Sequence, residues 1–142
     1  MMVAVQNTSS EGLPGSIWQW VNGGEWSKLD SAPSGYWSGI ASSGDGSVLV
    51  AIQDMDESGM PGSLYISTDS GRNFTKDKVL ATAHWAGVSV SADGAIIMAT
   101  QGQNSSRGIF TGTLRPEPPI GLMVAAAAVT GVAAGVTVGM SL

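Results

Sequence analysis

The sequence predicts an all-β fold of about two and a half copies of a four-stranded antiparallel unit, followed by one C-terminal transmembrane helix. Three observations predict it. A unit near 47 residues long recurs along the chain. Within each copy, short runs of Val, Ile, Leu and Ala are punctuated by Asp-Gly pairs. The last 23 residues, 120–142, carry no charged side chain.

The repeat is read from two independent alignments. Residues 37–51, WSGIASSGDGSVLVA, align without a gap on residues 85–99, WAGVSVSADGAIIMA, at an offset of 48. Trp37 falls on Trp85, Gly39 on Gly87, Asp45-Gly46 on Asp93-Gly94 and Ala51 on Ala99. Residues 3–15, VAVQNTSSEGLPG, align on residues 50–62, VAIQDMDESGMPG, at an offset of 47. The match continues through Ile17-Trp18 on Leu64-Tyr65, and one extra residue then places Trp26 on Phe74.

Each unit reads as four strands: Trp37–Ser42, Val48–Gln53, Ser63–Thr68 and Asn73–Lys76. Leu64–Thr68 alternates apolar and polar side chains, the pattern of a half-buried strand. Asp45-Gly46 and Asp93-Gly94 sit between apolar runs, where Asp-Gly signals a tight hairpin turn. A period of 40–50 residues with four strands is the signature of a propeller blade, so the expected architecture is an incomplete β-propeller-like array over residues 1–114. Helical repeats are a poor fit, because Gly is abundant and no segment before the tail keeps a 3.6-residue period. The chain starts at a mid-blade strand. Its N-terminus, MMVAVQNTSSEG, lacks the basic region and apolar length of a signal peptide, so a removed targeting segment or a longer gene product is expected.

Composition removes several functions. The net charge is −5 and the six Lys and Arg are scattered, so no basic patch exists for phosphates and no nucleic-acid partner is expected. The absence of Cys excludes disulfides and thiolate metal sites.

Ser67-Thr68-Asp69-Ser70-Gly71-Arg72-Asn73-Phe74 has the form S-x-D-x-G-x-x-F. The residue types have a local logic. Asp69 can accept backbone N–H groups across a hairpin. Gly71 can take positive φ. Phe74 can fold its ring back onto the sheet. Residues 22–26, Asn-Gly-Gly-Glu-Trp, look like a degenerate copy with Asn22 in the Asp position. The motif resembles the Asp-box (BNR) repeat of sialidase-like β-propellers, and the resemblance covers roughly residues 1–113. It implies that Ser67, Asp69, Gly71 and Phe74 are a folding device on the outer rim, with Asp45, Gly46, Asp93 and Gly94 as the repeat turns.

No catalysis is expected. Sialidase chemistry needs an arginine cluster, and the chain has only Arg72, Arg107 and Arg115, in unrelated places. His84 is the lone His and has no evident partner in the sequence. Asp54, Asp56 and Glu57 form an acidic loop that matches no EF-hand spacing, so a solvated loop is expected and no metal is assigned. Asn7-Thr8-Ser9, Asn73-Phe74-Thr75 and Asn104-Ser105-Ser106 are glycosylation sequons, meaningful only in a secretory route.

Residues 115–119, Arg-Pro-Glu-Pro-Pro, are expected to be a stiff linker, since Pro fixes φ and disfavours helix before it. Residues 120–142 would span about 34 Å as a helix, enough for a bilayer core of about 30 Å. Ala127, Gly131, Gly135 and Gly139 recur at four-residue spacing, a small-residue stripe suited to packing on another membrane helix.

These readings converge on a non-catalytic accessory or assembly subunit of a multi-subunit membrane complex. Its expected partners are other subunits and membrane lipid, and the chain is expected to be a single-pass membrane protein. The repeat is similar to that of the photosystem II stability and assembly factor propellers. That resemblance implies a photosystem, a thylakoid membrane, and pigment or lipid contacts, although no cofactor is evident in the residues themselves. The alternative is a membrane-anchored glycan- or protein-binding module, favoured if Trp18, Trp20, Trp37 and Trp85 lie exposed on one rim.

Overall fold

The computed structural model describes residues 1–80, 82–102, 108–114 and 127–130. These residues are all-β and form three antiparallel sheets, with no helix among them. The first sheet is β1 (Met2–Val5), β2 (Ile17–Trp20) and β3 (Trp26–Lys28). The second is β4 (Gly35–Ser42), β5 (Leu49–Asp56), β6 (Leu64–Ser67) and β7 (Thr75–Lys76). The third is β8 (Trp85–Val90), β9 (Ile96–Gln101), β10 (Gly108–Thr113) and β11 (Ala127–Thr130). Each sheet is a simple meander in which chain neighbours are also sheet neighbours.

The expected strands are present with shifted ends. β4 begins two residues before Trp37, β5 runs on to Asp56, and the expected strand Asn73–Lys76 shrinks to Thr75–Lys76. Asn73 is withdrawn from the ladder because its side chain and N–H both bind Asp69. The incomplete first copy is a three-stranded sheet whose β1 is the counterpart of β5.

The tail is different in the part that is described. Ala127–Thr130 pairs antiparallel with β10, in the register Gly108↔Thr130 to Thr111↔Ala127. These four residues, expected within a helix, are extended. The rest of the expected helix, with Gly131, Gly135 and Gly139, and the linker 115–119 lie outside the described residues. No helix among the described residues is long and apolar enough to cross a membrane.

The core lies between the sheets. Cross-strand pairs point to the same face, so Val50–Ile66 and Ile52–Leu64 share one face of the second sheet, while Leu49–Ser67 and Ala51–Tyr65 share the other. Val50, Ile52, Leu64 and Ile66 pack against Trp85, Ile97 and Ala99 of the third sheet. Leu49, Ala51 and Trp37 pack against Ile17, Val3 and Val5 of the first. The second sheet is thus buried on both faces, which explains why β5 reads as a near-continuous apolar run.

The two Trp residues aligned by the repeat occupy the same place. Both β4 and β8 carry a register irregularity between the Trp and the Gly two residues on. The extra residue turns Trp37 and Trp85 inward, where each is 1% exposed. Trp37 meets Tyr65 edge-on with centroids 5.5 Å apart, and Trp85 meets Phe110 likewise at 5.3 Å.

Candidate functional site

The residues singled out by motif form three serine–aspartate turns of one design. In the second sheet's first hairpin, Ser43 Oγ donates to Asp45 Oδ1 at 2.6 Å, and Asp45 Oδ1 also accepts Ser47 N–H and Ser47 Oγ–H. Val48 N–H in turn donates to Ser43 Oγ. The third sheet repeats this, with Ser91 on Asp93, Ala95 N–H on Asp93 and Ile96 N–H on Ser91. Within these two hairpins only Gly46 and Gly94 take positive φ, 75° and 74°. Each turn closes through a backbone bond to the carbonyl three residues before that glycine. The hairpin is therefore a turn ending in a left-handed glycine, wider than the two-residue Asn/Asp-Gly type.

The third turn is the S-x-D-x-G-x-x-F segment. Ser67 Oγ donates to Asp69 Oδ1 at 2.8 Å and accepts Gly71 N–H at 2.9 Å. Asp69 Oδ1 accepts Asn73 N–H, and Asp69 Oδ2 accepts the Asn73 amide at 2.7 Å. Ser70 and Gly71 are both left-handed, with φ 60° and 87°. Gly71 is essential on two counts, since a Cβ there would also press on the Leu29 and Leu49 side chains. Phe74 packs on the core between the first and second sheets. At residues 22–26 the turn closes through Gly24 N–H to the Val21 carbonyl, and Gly23 takes the positive φ.

Hydrogen bonds set the charge state of these turns. The Ser43 hydroxyl, then the Ser47 N–H and hydroxyl, hold the Asp45 carboxyl down at about 2. The Ser91 hydroxyl and Ala95 N–H hold Asp93 low. At Asp69, desolvation pushes upward, but the bonds from Asn73 and Ser67 together outweigh it and keep the carboxyl low. Each carboxylate is spent on ordering its own loop, which suits a scaffold.

His84 has a partner that the sequence did not reveal: its Nδ1 lies 2.9 Å from Asp54 Oδ1. The two are 30 residues apart, so no local spacing rule could have paired them. Asp56 is an ordering residue and not a free ligand, because its Oδ1 accepts Ser58 and Met60 N–H. Ser9, its counterpart in the first copy, accepts Glu11 and Leu13 N–H in the same way. Among the described residues no three His, Asp or Glu side chains gather to hold a metal ion.

The other candidates are dispersed. Trp37 and Trp85 are buried, so they cannot be rim aromatics. Trp18 and Trp20 are partly exposed, and Trp18 Nε1 donates to Gln6 Oε1. Of the sequons, the Asn7 amide donates to the Trp37 carbonyl and Asn73 binds Asp69, while Asn104 lies outside the described residues. Arg72 is exposed, and Arg107 and Arg115 also lie outside the described residues.

The feature least visible in the sequence is a pair of sheet faces that no other described element covers. On the first sheet, Met2, Trp20 and Trp26 stand in one cross-strand row, with Ala4, Trp18 and, at the edge, Lys28 in the next. Met2 is 51% and Trp26 47% exposed. On the third sheet, Ile96, Met98 and Ile109 are 50%, 44% and 48% exposed. The repeat could have located both, by asking which counterparts of buried residues belong to a terminal copy. Compared with known proteins, the chain matches no family model, no curated protein and no solved structure.

Proposed function

We propose that the chain is a non-catalytic accessory or assembly subunit of a multi-subunit membrane complex, built as an incomplete propeller-like array of Asp-box blades. The observation that carries this reading is the exposed apolar residues on the outer faces of the first and third sheets, which no other described element covers. Contiguous exposed apolar surface marks a protein-docking site. The polar groups argue the same way, since the aspartates of the motif turns are engaged in holding hairpins. Residues 120–142 provide the membrane contact as a single span whose Ala127, Gly131, Gly135 and Gly139 stripe faces partner helices. Residues 127–130 are extended where they pair with β10, and in the proposed span they are helical instead. A photosystem in a thylakoid membrane is the complex proposed, on the resemblance of the repeat.

The test is mild detergent extraction of native membranes, followed by size separation and mass spectrometry of what travels with the chain. Co-migration with a large pigmented assembly is the expected result. Release by alkaline carbonate, or migration alone, overturns the integral-subunit reading.

One observation favours a second reading, a membrane-anchored glycan-binding module. Trp18, Trp20 and Trp26 share one open face, and aromatic faces stack on sugars. Retention on a glycan array that is lost in Trp26→Ala would carry that alternative.

A further inference from the structure

Both open faces are halves of a junction that the molecule already makes twice within itself. Every sheet has a forward face, toward the next sheet in chain order, and a rear face, toward the previous one. The forward face of the second sheet presents Val50, Ile52, Leu64 and Ile66. The forward face of the first presents Val3, Val5 and Ile17, of which Val3, Val5 and Ile17 align on Val50, Ile52 and Leu64. The rear faces match too. Trp37, Leu49 and Ala51 in the second sheet align on Trp85, Ile97 and Ala99 in the third. Forward-on-rear is thus one contact type used twice.

The uncovered faces are the two unused halves. The third sheet's forward face places Ile96, Met98 and Thr100 at the positions of Val48, Val50 and Ile52, with Ile109 paired to Thr100 as Leu64 is to Ile52. The first sheet's rear face places Met2 and Ala4 at the positions of Leu49 and Ala51. It also carries Trp18 and Trp20 where the second sheet has Tyr65 and Ser67. The first sheet lacks a Trp-bearing strand like β4 or β8, and the two added indoles supply aromatic bulk on the same face.

We infer that the forward face of the third sheet docks on the rear face of the first sheet of a second copy. Head-to-tail contacts either propagate or close into a ring. Closed propellers hold four to eight sheets. The described residues of one copy form three, so two copies close a ring of six and cover all four open faces. This inference rests on the reading of the open faces as docking surfaces and names their occupant; it does not depend on the membrane span.

The test uses the purified full chain in non-ionic detergent, with mass measured by sedimentation equilibrium. The expected mass is twice the 14.4 kDa of one chain. A forward-face variant, Met98→Lys with Ile109→Lys, and a rear-face variant, Met2→Glu with Ala4→Glu, should each weaken the dimer by about tenfold or more, since each places charge in an apolar junction. An equimolar mixture of the two variants should recover the dimer, because one unaltered junction remains. Leu13→Lys, 57% exposed and on neither face, should dimerise as the wild type does. Circular dichroism checks the fold of every variant, and Thr111→Lys, exposed on the same forward face, replaces the double change if that one unfolds. A monomeric wild type overturns the inference and assigns the faces to another polypeptide, leaving the native-membrane result to judge the subunit reading separately. A dimer indifferent to both variants, or variants that do not complement, overturns it as well.

Discussion

His84 Nδ1 sits 2.9 Å from Asp54 Oδ1, tying the end of β5 to the start of the third sheet at the place where, one repeat earlier, the Asn7 amide ties the first sheet to the Trp37 carbonyl. Asp54 and Asn7 are repeat counterparts. The same junction is thus pinned once by a neutral amide and once by an acid–imidazole pair. Both side chains of the pair are about one-third exposed, so water screens it. A double-mutant cycle of Asp54→Ala and His84→Ala in urea should give a coupling of about 0.5–1 kcal/mol. Strict additivity would show that the pair contributes nothing to the junction.

Gly71 and Gly59 separate backbone strain from packing. Both take positive φ, 87° and 78°, but a Cβ meets open space at Gly59 and the Leu29 side chain at Gly71. Gly59→Ala should cost about 1–2 kcal/mol, the left-handed penalty alone. Gly71→Ala should cost about 1–3 kcal/mol more, through overpacking of Leu29 and Leu49. Equal midpoint shifts in thermal unfolding would contradict this placement of Gly71 against the core.

The serine turns should share one energetic role. Ser67→Ala removes the Oγ that bridges Asp69 and Gly71, and Ser43→Ala removes the bridge between Asp45 and Val48. Each change should cost about 1–2 kcal/mol, because a net bond contributes about 1 kcal/mol and the partners are left unpaired. Denaturant midpoints that do not move would remove the folding role assigned to the motif.

Acid should loosen the same turns. The Asp45 carboxyl is held at about 2 in the fold, against 3.8 for the free side chain. A depressed folded value contributes stability above the unfolded value and loses it as pH falls toward the folded one. The Asp45 contribution is therefore complete above about pH 4 and fades toward about pH 2, and Asp69 and Asp93 act with the same sign. Stability profiles of wild type and Asp45→Asn should converge across that range. Parallel profiles would show that Asp45 is not held low by its turn.

Much of this architecture is legible in the sequence because it is local or periodic. The 47- and 48-residue offsets located the paired Trp residues, and the Asp-Gly pairs located the hairpins, since turn chemistry depends on a few adjacent residues. The serines were harder. Ser43 and Ser91 act through Oγ bonds spanning five residues, which only the folded hairpin brings together. His84 had no visible partner, because Asp54 reaches it across a sheet junction.

By itself the sequence determined that the described chain is β, that it repeats, and that its hairpins turn at the Asp-Gly pairs. Those properties follow from alternation, turn residues and self-similarity, which are written along one dimension. Tertiary structure alone decided which face of each strand is covered. Val50 and Met98 are aligned by the repeat, yet one is fully buried and the other 44% exposed. The physical reason is that burial belongs to a pair of surfaces: Val50 meets the third sheet, and no described sheet packs over Met98.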